Sequence, residues 1–236
     1  MALLPTWFDV WFVRALAGLL GKFELFDRGI QSAVNHHVLG GLWYALVAYL
    51  LWLHGTAQSD DKIRLRMLTT MIGSIVAVLL IFPASATIHW APPVLDPTLS
   101  HLYPKYIYSE SDPNSFPSRG ATLYTAVTAG VFSLDRVKGS LLWLGIIFLI
   151  GLPRIYVGGH YPTDIMAGII LGVAGYGFAR YILESRLLAR IAPAIKRIHW
   201  LDLLLEALVF VWILQVATEF RDVIWTQNIL AYFLNG

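Results

Sequence analysis

Six apolar segments recur along the chain, near 38–54, 67–83, 118–134, 141–157, 163–182 and 200–217, and this repetition leaves few folds open. Each is long enough, or nearly so, for a helix through a hydrocarbon layer. Some are short for a full crossing, so tilt or burial of their ends is expected. The expected fold class is all-α, a polytopic membrane helical bundle with about six transmembrane helices. Composition agrees: a chain of 236 residues that is 57% hydrophobic and 14% charged is too apolar for a soluble domain. Nine Trp and eleven Tyr suit aromatic belts at the two interfaces. A net charge of +2 gives no basis for binding nucleic acid, and the lack of cysteine excludes disulfides and thiolate metal sites.

Outside those segments, residues 3–20 carry Trp7, Phe8, Trp11, Phe12, Ala15, Leu16 and Leu19 at helical spacing. Asp9 and Arg14 sit in mid-segment, which favours a helix lying in the interface over a span and argues against a cleavable signal. The tail 219–236 reads as amphipathic and interfacial too. The expected division is an interfacial N-terminal segment at 1–37, a helical core at 38–182, and a last transmembrane helix with its tail at 183–236.

Basic residues cluster in 55–66, 135–140 and 183–199, which alternation places on one side, the cytoplasmic one. The long loop 84–117 and the short loop 158–162 then face the opposite side. A loop as long as 84–117 suits a lid or a substrate-facing surface. Gly168, Gly172 and Gly175 give one helix face that allows close backbone approach, read as tight helix packing.

On the side of the long loop the chain reads G-L-P-R-I-Y-V-G-G-H-Y-P-T-D from Gly151 to Asp164. Arg154, His160 and Asp164 are three ionisable groups next to lipid, where such groups are costly and therefore functional suspects. Arg offers a planar fork for a phosphate, His is a nucleophile or proton carrier near neutral pH, and Asp can orient that His. Pro162 suits the first turn of a helix, whose unpaired N–H groups form a natural anion site. The competing reading is an Arg–Asp ion-pair lock beside a packed His. A second element, S-F-P-S-R-G-A-T from Ser115 to Thr122, opens another apolar helix on the same side. Ser118 is its cap or a phosphate donor, and Arg119 is a second guanidinium or an interfacial side chain reaching for headgroups.

Together these segments resemble the type 2 phosphatidic acid phosphatase superfamily of membrane lipid phosphatases. Its motifs are K-x-x-x-x-x-x-R-P, P-S-G-H and S-R-x-x-x-x-x-H-x-x-x-D. The third is matched from Pro153 to Asp164, with Pro153 where Ser is usual, and the second survives as F-P-S-R-G-A from Phe116 to Ala121. The resemblance covers about residues 38–182. It implies a helical bundle with its site at the outer membrane surface. It further implies His160 as a nucleophile forming phosphohistidine, Asp164 as its partner, and Arg154 and Ser118 as phosphate ligands. No metal and no organic cofactor is implied.

The departures shape the expected chemistry. The second-motif His, which in the family protonates the leaving oxygen, is Gly120 here, and the preceding Gly is Arg119. The basic residues of the first motif are missing, with Ala84 and Ala91 at the best-aligned positions. His89, His101, Lys105 and Arg119 are candidates to replace that positive charge. An alkoxide departs poorly without a proton, whereas a phosphate leaving from a diphosphate, with a second pKa of about 6 by analogy with protein phosphates, departs readily. The expected substrate is therefore a polyprenyl-diphosphate-type lipid in the bilayer. Alternatives are a phosphotransferase or phosphoglycosyl-type transferase of envelope polymer synthesis, or a non-catalytic relative that binds lipid phosphate. A channel or transporter is disfavoured, because the charges gather at one face and not along a path. The expected location is a bacterial inner membrane with the site facing the periplasm or exterior. The acceptor and the oligomeric state are not legible.

Overall fold

Small side chains decide how the central helices meet. A computed structural model describes residues 5–107, 113–183 and 199–220. Its helices are α1 (Trp7–Ala17), α2 (Glu24–Asn35), α3 (His37–Ala57), α4 (Asp61–Thr87), α5 (Arg119–Leu134), α6 (Arg136–Gly145), α7 (Leu152–Tyr156), α8 (Pro162–Leu183) and α9 (His199–Ala217). A π-helical stretch, Ile146–Gly151, joins α6 to α7 without a break. No strand occurs among the described residues.

The bundle is centred on α4, α5 and α8, which pack most extensively on one another. A Cβ on Gly168 would lie 2.7 Å from the Ser118 carbonyl oxygen, and one on Gly172 would lie 2.5 Å from that of Thr122. Only glycine lets α8 lie this close to α5, so the reading of this stripe as helix packing holds. α5 is buried along nearly its whole length, its threonines included. Thr122 resolves its hydroxyl by donating to the Ser118 carbonyl one turn back. α3 and α9 close the bundle through a cluster containing Tyr44, Trp52, Tyr124 and Trp212.

Each of the six apolar segments is helical over most of its length, and so is the described part of the N-terminal stretch. Three helical stretches, Asp61–Thr87, Arg136–Tyr156 and Pro162–Leu183, are long and apolar enough to cross a membrane. A fourth arises if the bent pair Glu24–Asn35 and Gly40–Ala57 is one span. α5, with 16 residues, and the apolar stretch Leu203–Ala217 of α9 are shorter. The protein is thus an all-helical membrane-type bundle with three or four candidate spans, and a count of six is not established. The basic stretch 184–198 and the tail beyond 220 lie outside the described residues.

The N-terminal helices are built inside out. Trp7, Trp11, Phe23, Leu25 and Phe26 are exposed while Asp9 and Asp27 are fully buried. Such a surface suits a hydrocarbon or headgroup environment, and the carboxylates tie it to the bundle. Asp9 forms a capping box with Thr6 and accepts the Thr163 amide of α8 at 3.0 Å. Asp27 accepts the Gly21 amide at 2.8 Å and the Tyr106 hydroxyl at 2.7 Å, and also the Tyr156 hydroxyl.

Candidate active site

The loop that carries His160 lies where α7 ends and α8 begins. Gly158 has φ +76°, and a Cβ there would lie 2.5 Å from the Tyr103 ring, so glycine is required on both counts. α8 starts at Pro162, as the sequence implies. Its first turn differs from the expected open anion site. The Thr163 amide is taken by Asp9, and the Tyr161 amide donates to Asp164 Oδ2 at 2.8 Å. Two of the N–H groups assigned to a phosphate are thus already bound to protein carboxylates.

His160 keeps 16% of its side chain accessible, and Asp164 behind it is fully buried. Nδ1 of His160 lies 2.9 Å from the Ser115 carbonyl oxygen and 3.6 Å from Asp164 Oδ2. A carbonyl only accepts, so Nδ1 carries the proton and Nε2 carries the lone pair. The Ser115 carbonyl sets the tautomer, and the Asp164 carboxylate lies behind the same nitrogen. Ser115 is held in turn: its amide donates to the Trp90 carbonyl at 2.8 Å. Asn114 supports the same turn by donating to the Ile88 carbonyl at 3.0 Å while accepting the Trp90 amide at 3.1 Å.

Ser118 caps α5: its side chain accepts the Ala121 amide at 3.5 Å, and its own amide donates to the Asp164 carbonyl at 3.1 Å. That contact joins the two motif-bearing helices at their first turns. Arg119 is half-buried at the start of α5. Arg154 is buried and reaches the same turn. A Cβ on Gly120 would lie 2.9 Å from Arg154 Cζ and 2.9 Å from Glu219 Oε1. The partner of Arg154 is Glu219, just beyond the end of α9. The Arg–Asp lock weighed from the sequence is therefore not what forms. Burying an Arg requires a paired anion, and this one comes from 65 residues away. Sequence spacing carries no signal for either Glu219 or the Ser115 carbonyl.

The described part of the loop 84–117 is a packed cap. Trp90, Leu99, Tyr103 and Ile107 are buried with Tyr156, Val157 and Tyr161, against Val13 and Ala17 of α1. The Val94 amide donates to the Gly158 carbonyl at 3.0 Å, and the Tyr161 hydroxyl donates to Asp96 at 3.2 Å. Burial and the nearby Asp96 carboxylate push the Tyr161 phenol well up, so it remains a donor. His89, His101 and Lys105 are exposed on this cap. They are not buried against the His160 turn, so the suggestion that they replace the lost motif charges gains no support from their placement. No group of metal-binding side chains occurs among the described residues.

Comparison with known proteins points the same way. The profile of the PAP2 superfamily matches residues 65–187, which include α5, α8 and the whole His160 loop. The undecaprenyl-diphosphatase BcrC of Bacillus subtilis (strain 168) is 28% identical over 189 residues, 79% of this chain and 89% of the relative. The bacitracin transport permease protein BcrC of Bacillus licheniformis is 31% identical over 155 residues, 65% of this chain and 70% of the relative. The putative undecaprenyl-diphosphatase YbjG of Escherichia coli (strain K12) is 29% identical over 153 residues, 59% of this chain and 66% of the relative. No solved structure matches the chain.

Proposed function

We propose, for a chain that belongs to the PAP2 superfamily, that it hydrolyses a polyprenyl diphosphate in the membrane through a phosphohistidine intermediate. The observation that carries this reading is the environment of His160. It pairs a proton-donating contact to the Ser115 carbonyl with a buried carboxylate, leaving Nε2 as the nucleophile. Nε2 attacks the terminal phosphorus, the bond to the bridging oxygen breaks, and polyprenyl phosphate departs with that electron pair. Its second pKa of about 6 means that it leaves without a proton from the protein, so Gly120 in place of a general acid is tolerated. Asp164 steadies the imidazolium, and Arg154 with Ser118 and Arg119 holds the transferred phosphoryl. Water then attacks phosphorus, phosphate leaves, and Nε2 regains its lone pair.

Relatives named as diphosphatases support the substrate class. The reading includes six spans, with α5 and α9 completing the set, an interfacial segment at 1–37, a core at 38–182 and a C-terminal part from 183. It places the protein in a bacterial inner membrane with the His160 loop outside. The test is phosphate release in nanodiscs across lipid monophosphates and diphosphates, with His160→Ala as control. The expected result is release from isoprenoid diphosphates that His160→Ala abolishes. Hydrolysis of phosphatidic acid at the same rate would remove the leaving-group argument. Turnover only with an added acceptor would favour the transferase reading.

A further inference from the structure

The residue missing from the second motif leaves room at Gly120, and the structure fills that room with an ion pair. Both members are nearly inaccessible, with 10% of the Arg154 side chain and 8% of the Glu219 side chain exposed. Their contacting atoms lie over the Gly120 Cα, each 2.9 Å from where a Cβ would stand. Glu219 therefore holds the guanidinium that the proposed function assigns to the substrate phosphate. A carboxylate and a phosphate present the same oxygen pair to an arginine fork, so they compete for it.

We propose that Glu219 is a specificity-determining residue, which makes phosphate binding at Arg154 a displacement and so favours diphosphates over monophosphates. This rests on Arg154 being the phosphate ligand. Parting a buried ion pair costs the same for either lipid. A diphosphate brings a second phosphate group to offset that cost, with Arg119 next to Gly120 in the chain as a further cation. A monophosphate has one group only, and it must outcompete a tethered carboxylate. The same competition expels the monophosphate lipid and inorganic phosphate after hydrolysis, because Glu219 returns to Arg154.

Steady-state phosphate release from a polyprenyl diphosphate and a polyprenyl monophosphate tests this with the wild type, Glu219→Gln and Glu219→Asp. Gln keeps the shape and an acceptor oxygen but removes the charge. The expected result for Glu219→Gln is a rise of about tenfold in kcat/KM for the monophosphate, carried by KM, with a smaller change for the diphosphate. Inhibition by inorganic phosphate should tighten by about tenfold as well. Glu219→Asp, with its carboxylate withdrawn by one methylene, should fall between, and it answers the question if Glu219→Gln does not fold. An unchanged substrate ratio with unchanged phosphate inhibition overturns the proposal. So does a fall in kcat on both lipids with accumulation of phosphoenzyme, which would make Glu219 a proton-transfer group. If the wild type and His160→Ala are equally inert on every lipid, the proposed function fails instead. Phosphate-dependent protection against thermal unfolding then still reads the competition, and equal protection of wild type and Glu219→Gln overturns it.

Discussion

Two regions of this molecule bury carboxylates, and they do so in opposite ways. In the N-terminal helices, Asp9 and Asp27 are saturated. Asp9 accepts from Thr6 and from Thr163 of α8, and Asp27 accepts from Gly21, Tyr106 and Tyr156. At the mouth of α5 and α8, Asp164 is equally buried, yet its Oδ1 accepts no hydrogen bond among the described residues. A saturated buried carboxylate is a fastener, and its bonds offset the cost of its burial. A buried carboxylate with an idle oxygen next to a histidine is held at a cost, because that oxygen has lost water without gaining a donor. The contrast teaches that burial alone does not separate a fastener from a candidate site residue, whereas the number of bonds each carboxylate accepts does.

This contrast can be broken by measurement. The largest effect is expected at the nucleophile: His160→Ala should lower phosphate release by at least about 10³-fold while leaving the thermal midpoint in detergent nearly unmoved. Loss of folding in that variant would put His160 among the fasteners. On the other side, Asp27→Ala strands two tyrosine hydroxyls and an amide, and it should cost about 2–4 kcal/mol of stability. Denaturation in mixed micelles would read that loss, and a stable but inactive variant would contradict it. Asp164→Asn should instead lower kcat by about 10²-fold with little change in stability, separating the two kinds of acid in one pair of assays. Asp9→Ala, which removes a capping box and the bond to Thr163, should cost about 1 kcal/mol.

The smallest effect sharpens the comparison on the cap. Burial raises the Asp96 carboxyl, but bonds from the Thr98 hydroxyl and amide, the Tyr161 hydroxyl and the Leu99 amide outweigh it and hold the group below the usual carboxylate range. A carboxyl lowered by folding stabilises the native state above its unfolded pKa of about 3.9, and that contribution is lost as pH falls through the folded value. Protection factors of residues 92–102, taken relative to the intrinsic exchange rate at each pH, should therefore fall at the acid end of that window and be flat between pH 5 and 8. Equal protection at pH 5 and pH 3 would remove Asp96 as a fastener of the cap.

Much of the architecture was legible in advance because its causes are local. Apolar length made the helices, Pro162 opened α8, and the spacing of Gly168, Gly172 and Gly175 marked a face that other helices approach. The triplet was legible because three charged types stood beside hydrocarbon at a motif spacing. The expected anion site at the α8 N-terminus was wrong in detail, since Asp9 reaches it from more than 150 residues away. Periodicity does not reveal which remote side chain will satisfy a helix end.

By itself the chain determined its helices, their small-residue contacts and which imidazole is proposed as the nucleophile, because each follows from residue types at short spacing. Tertiary structure alone decided that the Ser115 carbonyl sets the tautomer of that imidazole, that Glu219 neutralises Arg154 in the room above Gly120, and that Asp9 closes the start of α8. Those three contacts join elements far apart in sequence. They exist because a buried proton, a buried charge and a helix end each need a partner, and folding supplies whichever group arrives in reach.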